Sequence, residues 1–337
     1  MDPVSQAVVG GAFAQSVSPR RKIVAFTLLG ALAGMAPDLD VLIRSNTDPL
    51  LFLEFHRQFT HSLIFIPFGA LIVAAILHWP FRHTLKFRET WLACVLGYAT
   101  HGLLDACTSY GTQLFWPFSD HRVSWNVVSV VDPLFTLPVL GLVILAAYRK
   151  QRAFTFAAMA WAVGYLLLGF IQHERAWTAA EQIANAQGHA PTRLSVKPAF
   201  GNIVLWKAIY EHDGQYHVNA LRALGEVRWC RGTQVEKLDV ARQLPGLSAT
   251  SRQARDIERF RWFSKNYLSL QKAENLIVDI RYSAVPNEAE PLWGIRIDPT
   301  APDEHAAWWA RRDTDAGQRA RLRALLAGEG CQPLPAG

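Results

Sequence analysis

The chain has 337 residues, 50% of them apolar and 18% charged, with a formal net charge of +6. No basic stripe interleaved with aromatics accompanies that charge, which argues against a nucleic-acid-binding protein. The averages conceal a division: up to about Gln172 the chain is a series of long apolar stretches, and from His173 onward it is dense in Arg, Asp and Glu.

The apolar stretches cover residues 3–18, 23–43, 63–80, 91–107, 133–148 and 153–172. A helix needs roughly 20 residues to cross a hydrocarbon core of about 30 Å, and the first stretch covers about 24 Å. The expectation is six membrane helices with a short first one. Arg20, Arg21 and Lys22 follow the first apolar run instead of preceding it, which argues against a cleaved signal peptide. Orientation follows from Lys and Arg in the short loops. Residues 20–22, 81–88 and 149–152 carry nine of them on one side, against Arg44, Arg57 and Arg122 on the other. The first side is read as cytoplasmic, which places the N-terminus, the loops 38–62 and 108–132 and the C-terminal half on the outer face.

In the soluble half, residues 201–224 alternate apolar and polar side chains around Asp213-Gly214, the pair favoured in a tight hairpin turn. Residues 275–284 and 291–298 read as further strands, and residues 251–274 have helical spacing. The fold class is therefore a mainly α membrane domain followed by a small α+β soluble domain, with residues 1–173 polytopic, 174–195 a linker and 196–337 extracytoplasmic. His212 and His217 read as turn and strand-face residues. Cys94 and Cys107 read as packing residues in a membrane helix. Cys230 and Cys331 lie where an oxidising compartment would permit a disulfide.

Four stretches put polar groups where membrane helices normally avoid them. They are "PDLD" with Asp38 and Asp40, "HRQFTHS" with His56, Arg57 and His61, "THGLLDACTSYG" with His101 and Asp105, and "SDHRVSWNVVSVVD" with Asp120, His121, Arg122 and Asp132. Each has a plain structural explanation alone, such as a loop entry, a snorkelling arginine or a buried His–Asp pair. All four fall on the outer side, although only Lys and Arg set the orientation. Ionisable groups at membrane depth are costly and usually turn toward partners, and His101 and Asp105, four apart on a helix, share a face. Two carboxylates and several histidines suit a divalent ion, Zn²⁺ or Mn²⁺, as cofactor. His56, His61, His101, Asp105 and Asp38 are the expected metal ligands. Asp38 or Asp40 would bridge two ions or act as general base, and Arg57 and Arg122 would hold an anion as catalytic groups.

The order of "MDPVSQAVVG", "PDLD", "HRQFTHS" and "GYATHGLLDACTSYGTQLFWPFSD" resembles the inner-membrane metal-dependent hydrolases of the YdjM type, over roughly residues 1–175. The resemblance implies that His56, His61, His101 and Asp105 occupy metal-binding positions, with Asp38 and Asp40 as the acidic pair. The soluble half looks like the extension of longer members. The motif order is also distantly similar to zinc-dependent phospholipase C. One departure stands at the start, where Ser5-Gln6 replaces the family's Thr-His. The expected function is metal-dependent hydrolysis of a phosphoester or lipid-linked substrate at the outer face of the inner membrane, with membrane lipids as partners. The alternatives are a structural metal site in an anchor for a partner-binding outer domain, or a cation or proton transporter. The transporter reading predicts polar residues continuing to the cytoplasmic helix ends, and these ends are apolar.

Overall fold

A computed structural model of the chain describes residues 1–311 and 313–335, which form two compact units. The first holds Met1–Leu42, Phe55–Ile171 and Phe200–Asn202, and the second holds Ile43–Glu54, Gln172–Ala199 and the chain from Ile203 onward.

All six expected helices form. Helix α1 spans Pro3–Val17, and Asp2 caps it by accepting hydrogen bonds from the Val4 and Ser5 amides. Helix α2, Ile23–Met35, tightens into a 3-10 segment over Ala36–Leu42, where Pro37 removes a backbone donor from the ladder. That tightening sets the positions of Asp38 and Asp40. After the short α3 (Leu51–Phe55) come α4 (Ile66–Phe81), α5 (Phe87–Ala106), α6 (Pro133–Arg149) and α7 (Arg152–Ala186). Asp132, one of the polar residues of the fourth stretch, caps α6 through the Leu134 and Phe135 amides and accepts from Tyr165 Oη. It is a structural residue.

Helix α2 packs against both α1 and α5. A Cβ added at Gly97 of α5 would stand 2.2 Å from the Gly30 carbonyl oxygen of α2, so only glycine permits this approach. Phe26, Leu29, Ala33, Ala70, Ala74, Ala93 and Cys94 form the core between α2, α4 and α5. The outward faces are apolar too, with Phe68, Ile72, Ile76 and Trp79 on α4 and Val163, Leu167 and Ile171 on α7 all exposed. A helix apolar all round belongs in lipid. By length and composition, Arg20–Leu42, Leu63–Phe81 and Arg152–Ala186 suffice to cross a membrane, and Pro133–Arg149 is a shorter apolar helix. Helix α5 has 20 residues, but Arg88, Glu89, His101 and Asp105 dilute its apolarity. The basic loops meet at one end of the bundle, where Lys22 pairs with Glu89 at 2.8 Å and Arg152 donates to the Ser18 carbonyl.

In the second unit, β1 (Arg193–Pro198), β2 (Leu205–His212), β3 (Gln215–Arg222), β4 (Arg228–Cys230), β5 (Gln234–Glu236) and β10 (Gln332–Pro333) form one antiparallel sheet, ordered β1-β2-β3-β4-β10 with β5 also on β3. The β2–β3 hairpin turns at Asp213 (φ +48°) and Gly214 (φ +70°), with Tyr210 opposite His217. Strands β6 (Leu268–Gln271), β7 (Leu276–Asp279), β8 (Trp293–Arg296) and β9 (Ala307–Ala310) form a second sheet in sequence order, beside α8 (Val240–Gln243), α9 (Arg252–Phe263) and α10 (Ala316–Ala327) in the chain. A disulfide joins Cys230 and Cys331, while Cys94 and Cys107 are free and buried.

Two boundaries differ from the sequence-based expectation. The linker expected at 174–195 is helical to Ala186, because the Ala, Glu and Gln of that stretch sustain a helix that turns off only near Gly188, at φ +71°. The helix expected over 251–274 stops at Phe263, since Lys265 and Asn266 adopt positive φ and the alternating residues beyond pair as β6 with β7.

Candidate metal centre

The end of the helical unit opposite its basic loops collects the polar motifs. The 3-10 segment after α2 brings Asp38 and Asp40, the turns between α3 and α4 bring His56, Arg57, Thr60 and His61, and the last turn and a half of α5 brings His101 and Asp105. Gly102 lets the second group approach the third, because a Cβ there would lie 2.3 Å from the His61 carbonyl oxygen.

Four ligand-type atoms converge. His61 Nε2 lies 2.9 Å from His101 Nε2, 3.5 Å from Asp38 Oδ1 and 3.3 Å from Asp105 Oδ2, and His101 Nε2 lies 3.4 and 3.7 Å from the same two oxygens. Four ligands at about 2.0–2.1 Å from a tetrahedral ion stand about 3.3 Å apart. The spacing therefore fits a single divalent cation. His61, His101 and Asp105 are buried, and the Asp38 side chain is 24% exposed.

The ring orientations agree with this reading. His101 Nδ1 faces the Gly34 carbonyl, which can only accept, so that nitrogen carries the proton and Nε2 is left as the lone-pair donor. Asp40 does the same for two rings at once, with Oδ1 2.7 Å from His56 Nδ1 and Oδ2 3.2 Å from His61 Nδ1. The Arg57 amide and the Thr60 hydroxyl also donate to Asp40 Oδ2, at 2.9 and 2.8 Å. Asp40 is thus an orienting carboxylate of the kind that fixes histidine ligands. His56, expected among the ligands, stands outside the four-atom set. It is near enough to Asp38 and Asp40 to form a second, more exposed acidic–imidazole group.

The arginines are props as well as charges. Arg57 adopts φ +66°, a left-handed conformation uncommon outside glycine. From there its Nε lies 3.0 Å from Asp105 Oδ2 and its Nη1 donates to Thr108 Oγ1 at 3.1 Å. Arg122 is buried and donates to the Gly111 and His56 carbonyls. The two guanidiniums flank the Tyr110 ring at 4.8 and 5.7 Å. Asp120 and His121 are exposed.

Sequence reasoning underrated Gln6. It is fully buried, and its Nε2 donates to Asp105 Oδ1 at 3.0 Å; the Met1 amino group lies on the same oxygen. Gln6 Oε1 is a buried acceptor with no hydrogen-bond donor among the described residues, while Asp105 Oδ2 is held by the Arg57 charge and faces the His61 ring. The charge balance also suits a cation. Burial disfavours a charged His61 ring, but Asp105, Asp38 and Asp40 outweigh it and push its pKa up to about 10. Burial holds His56 below the usual histidine range despite its bond to Asp40. The carboxylates draw a proton onto His61 that a bound ion would release.

Comparison with known proteins falls on this half of the chain. Residues 1–176 match the YdjM inner membrane protein family. The uncharacterized protein YfhP of Bacillus subtilis is 29% identical over 150 residues, 44% of this chain and 45% of that protein. Inner membrane protein YbcI of Escherichia coli is 29% identical over 174 residues, 50% of this chain and 92% of that protein. The chain therefore aligns with less than half of YfhP and with nearly all of YbcI. No solved structure matches it.

Proposed function

The chain belongs to the YdjM inner membrane protein family, and from that premise we propose that it is an integral membrane metal-dependent hydrolase acting on a phosphoester or lipid-linked substrate at the outer face. The observation that carries the reading is the convergence of Asp38, His61, His101 and Asp105 at tetrahedral spacing. These four residues would hold the ion, with Zn²⁺ or Mn²⁺ suited to mixed imidazole and carboxylate donors. A divalent ion supplies Lewis acidity toward a phosphoryl or carbonyl oxygen and lowers the pKa of water.

The chain's own residues do the rest. Asp40 holds His56 by Nδ1, leaving Nε2 of this partly exposed ring (18%) to take or return a proton as general base and acid. Arg57 offsets the charge of Asp105 and, with the buried Arg122, adds positive charge beside the site, which favours an anionic substrate. The Cys230–Cys331 disulfide supports an oxidising compartment for the soluble half, in accord with the loop charges.

Purified protein loaded with metal is expected to contain about one ion per chain in the buried set and to cleave short-chain phospholipids or generic phosphodiesters, with His101→Ala losing both properties. Absence of stoichiometric metal under replete conditions defeats the proposal. A second reading, a structural ion, is favoured by the closeness of the four-residue set to the closed coordination of structural sites. It predicts metal-dependent stability with no turnover on any of these substrates.

A further inference from the structure

The segment joining "PDLD" to "HRQFTHS" is part of the soluble unit. The chain leaves the helical unit after Leu42 and rejoins it at Phe55, so Asp40 and His56, which bond each other, lie just beyond the two ends of residues 43–54. Within the soluble unit that segment is held twice over. Leu50 and Leu53 are 0% and 1% exposed, and Phe52 meets Trp308 edge to face at 4.9 Å, with Trp308 in turn edge-on to Phe260 of α9. Arg259 of α9 then closes a fork on the segment's carboxylates. Its two terminal nitrogens donate to the two oxygens of Asp48 at 3.0 and 2.8 Å, and its Nε donates to Glu54.

The guanidinium is itself fixed from behind. Asp256, 1% exposed, accepts from Arg259 Nη1 at 3.0 Å, and its other oxygen accepts from the Ala306 amide and faces His305 Nδ1, both at 2.9 Å. Isolated exposed ion pairs contribute little. A planar fork that binds one carboxylate through two nitrogens, reaches a second and rests on a buried third has a defined geometry that lysine cannot reproduce. Glu54 precedes His56 by two residues, and the next residue, Arg57, carries the left-handed turn whose amide donates to Asp40. Any freedom at Glu54 passes along the backbone into that turn.

We infer that Arg259 is a positioning residue through which the soluble domain holds the site turn, residues 55–61, in its ligand-presenting conformation. Where this bears on ion affinity, it rests on the metal-binding reading above.

The test uses full-length protein in detergent, as wild type, Arg259→Ala, Arg259→Lys and the loop variant Asp48→Asn with Glu54→Gln. Amide hydrogen exchange over residues 55–61, measured without metal, is the arm independent of that reading. Faster exchange is expected in Arg259→Ala and in the loop variant, with a smaller increase in Arg259→Lys, while exchange in β2 and β3 stays at the wild-type level. The second arm is Co²⁺ titration followed by its visible absorption, where Arg259→Ala should bind about ten-fold more weakly with unchanged stoichiometry. Combining Arg259→Ala with the loop substitutions should add no further loss. Unchanged exchange at 55–61 in both Arg259→Ala and the loop variant overturns the inference, as does a loss confined to the thermal stability of the soluble domain. Wild type that binds no Co²⁺ while the exchange difference persists defeats the metal reading and leaves the positioning role standing.

Discussion

Asp40 and Asp38 are two residues apart and do different work. Asp38 points an oxygen at two imidazole nitrogens, whereas Asp40 gathers the outer nitrogens of His56 and His61, the Arg57 amide and the Thr60 hydroxyl. Asp38→Asn should therefore abolish stoichiometric metal. Asp40→Asn should keep the stoichiometry and weaken affinity by roughly 10- to 100-fold, the usual cost of losing an orienting partner; metal analysis and competition with a chelator check both. Protons compete at the same place. Because the carboxylates raise the His61 pKa to about 10, an ion must displace a proton from it at neutral pH. Affinity should rise about ten-fold per unit between pH 6 and 8 as proton competition eases, and a flat profile over that range would show that His61 is not a ligand.

At the scale of elements, the centre depends on how closely α2 and α5 approach. His101 lies four residues beyond Gly97 on α5, and its Nδ1 reaches the Gly34 carbonyl at the far end of α2. Gly97→Ala would force the Gly30 carbonyl away and should cost about 1–3 kcal/mol, as overpacking does. Because the same shift moves His101 off Gly34, metal affinity should fall together with stability, read by thermal unfolding and metal titration on one preparation. The 3-10 segment after Pro37 has a parallel role, since a continued α-helix would turn Asp38 and Asp40 through different angles.

For the whole molecule, the helical unit has a polar end built from motifs and an opposite end where the basic loops pair with Glu89 and the Ser18 carbonyl. The proposed orientation, with the basic end cytoplasmic, predicts that an alkaline phosphatase fusion at the C-terminus is active and a fluorescent-protein fusion that requires the cytoplasm dark; the reverse pattern would refute it. The disulfide closes a sequence separation of 101 residues, so Cys230→Ser is expected to destabilise the soluble domain by about 2–5 kcal/mol. Denaturant unfolding monitored through the domain's tryptophans would measure it.

Much of this was legible in the residues alone. Apolar runs of membrane length gave the helices, because burial in lipid leaves a composition signal over each run that tertiary contacts need not supply. Alternation around Asp213-Gly214 gave the hairpin, and the side-chain types at positions 38, 56, 61, 101 and 105 marked the candidate centre. Their division of labour was not legible: His56 reads like His61, and Asp40 like Asp38, until the turns are folded. Gln6 is marked in the sequence only as the residue standing where the family carries histidine, not by its bond to Asp105, and the Gly34 carbonyl that sets the His101 ring is backbone, which composition cannot mark. The capture of residues 43–54 by the soluble unit likewise depends on Arg259, more than 200 residues away in the chain. Periodicity and composition act locally and so determine which segments form and what chemistry they carry. Ligand geometry and long-range forks are set by distances between segments, and only the tertiary structure decides those.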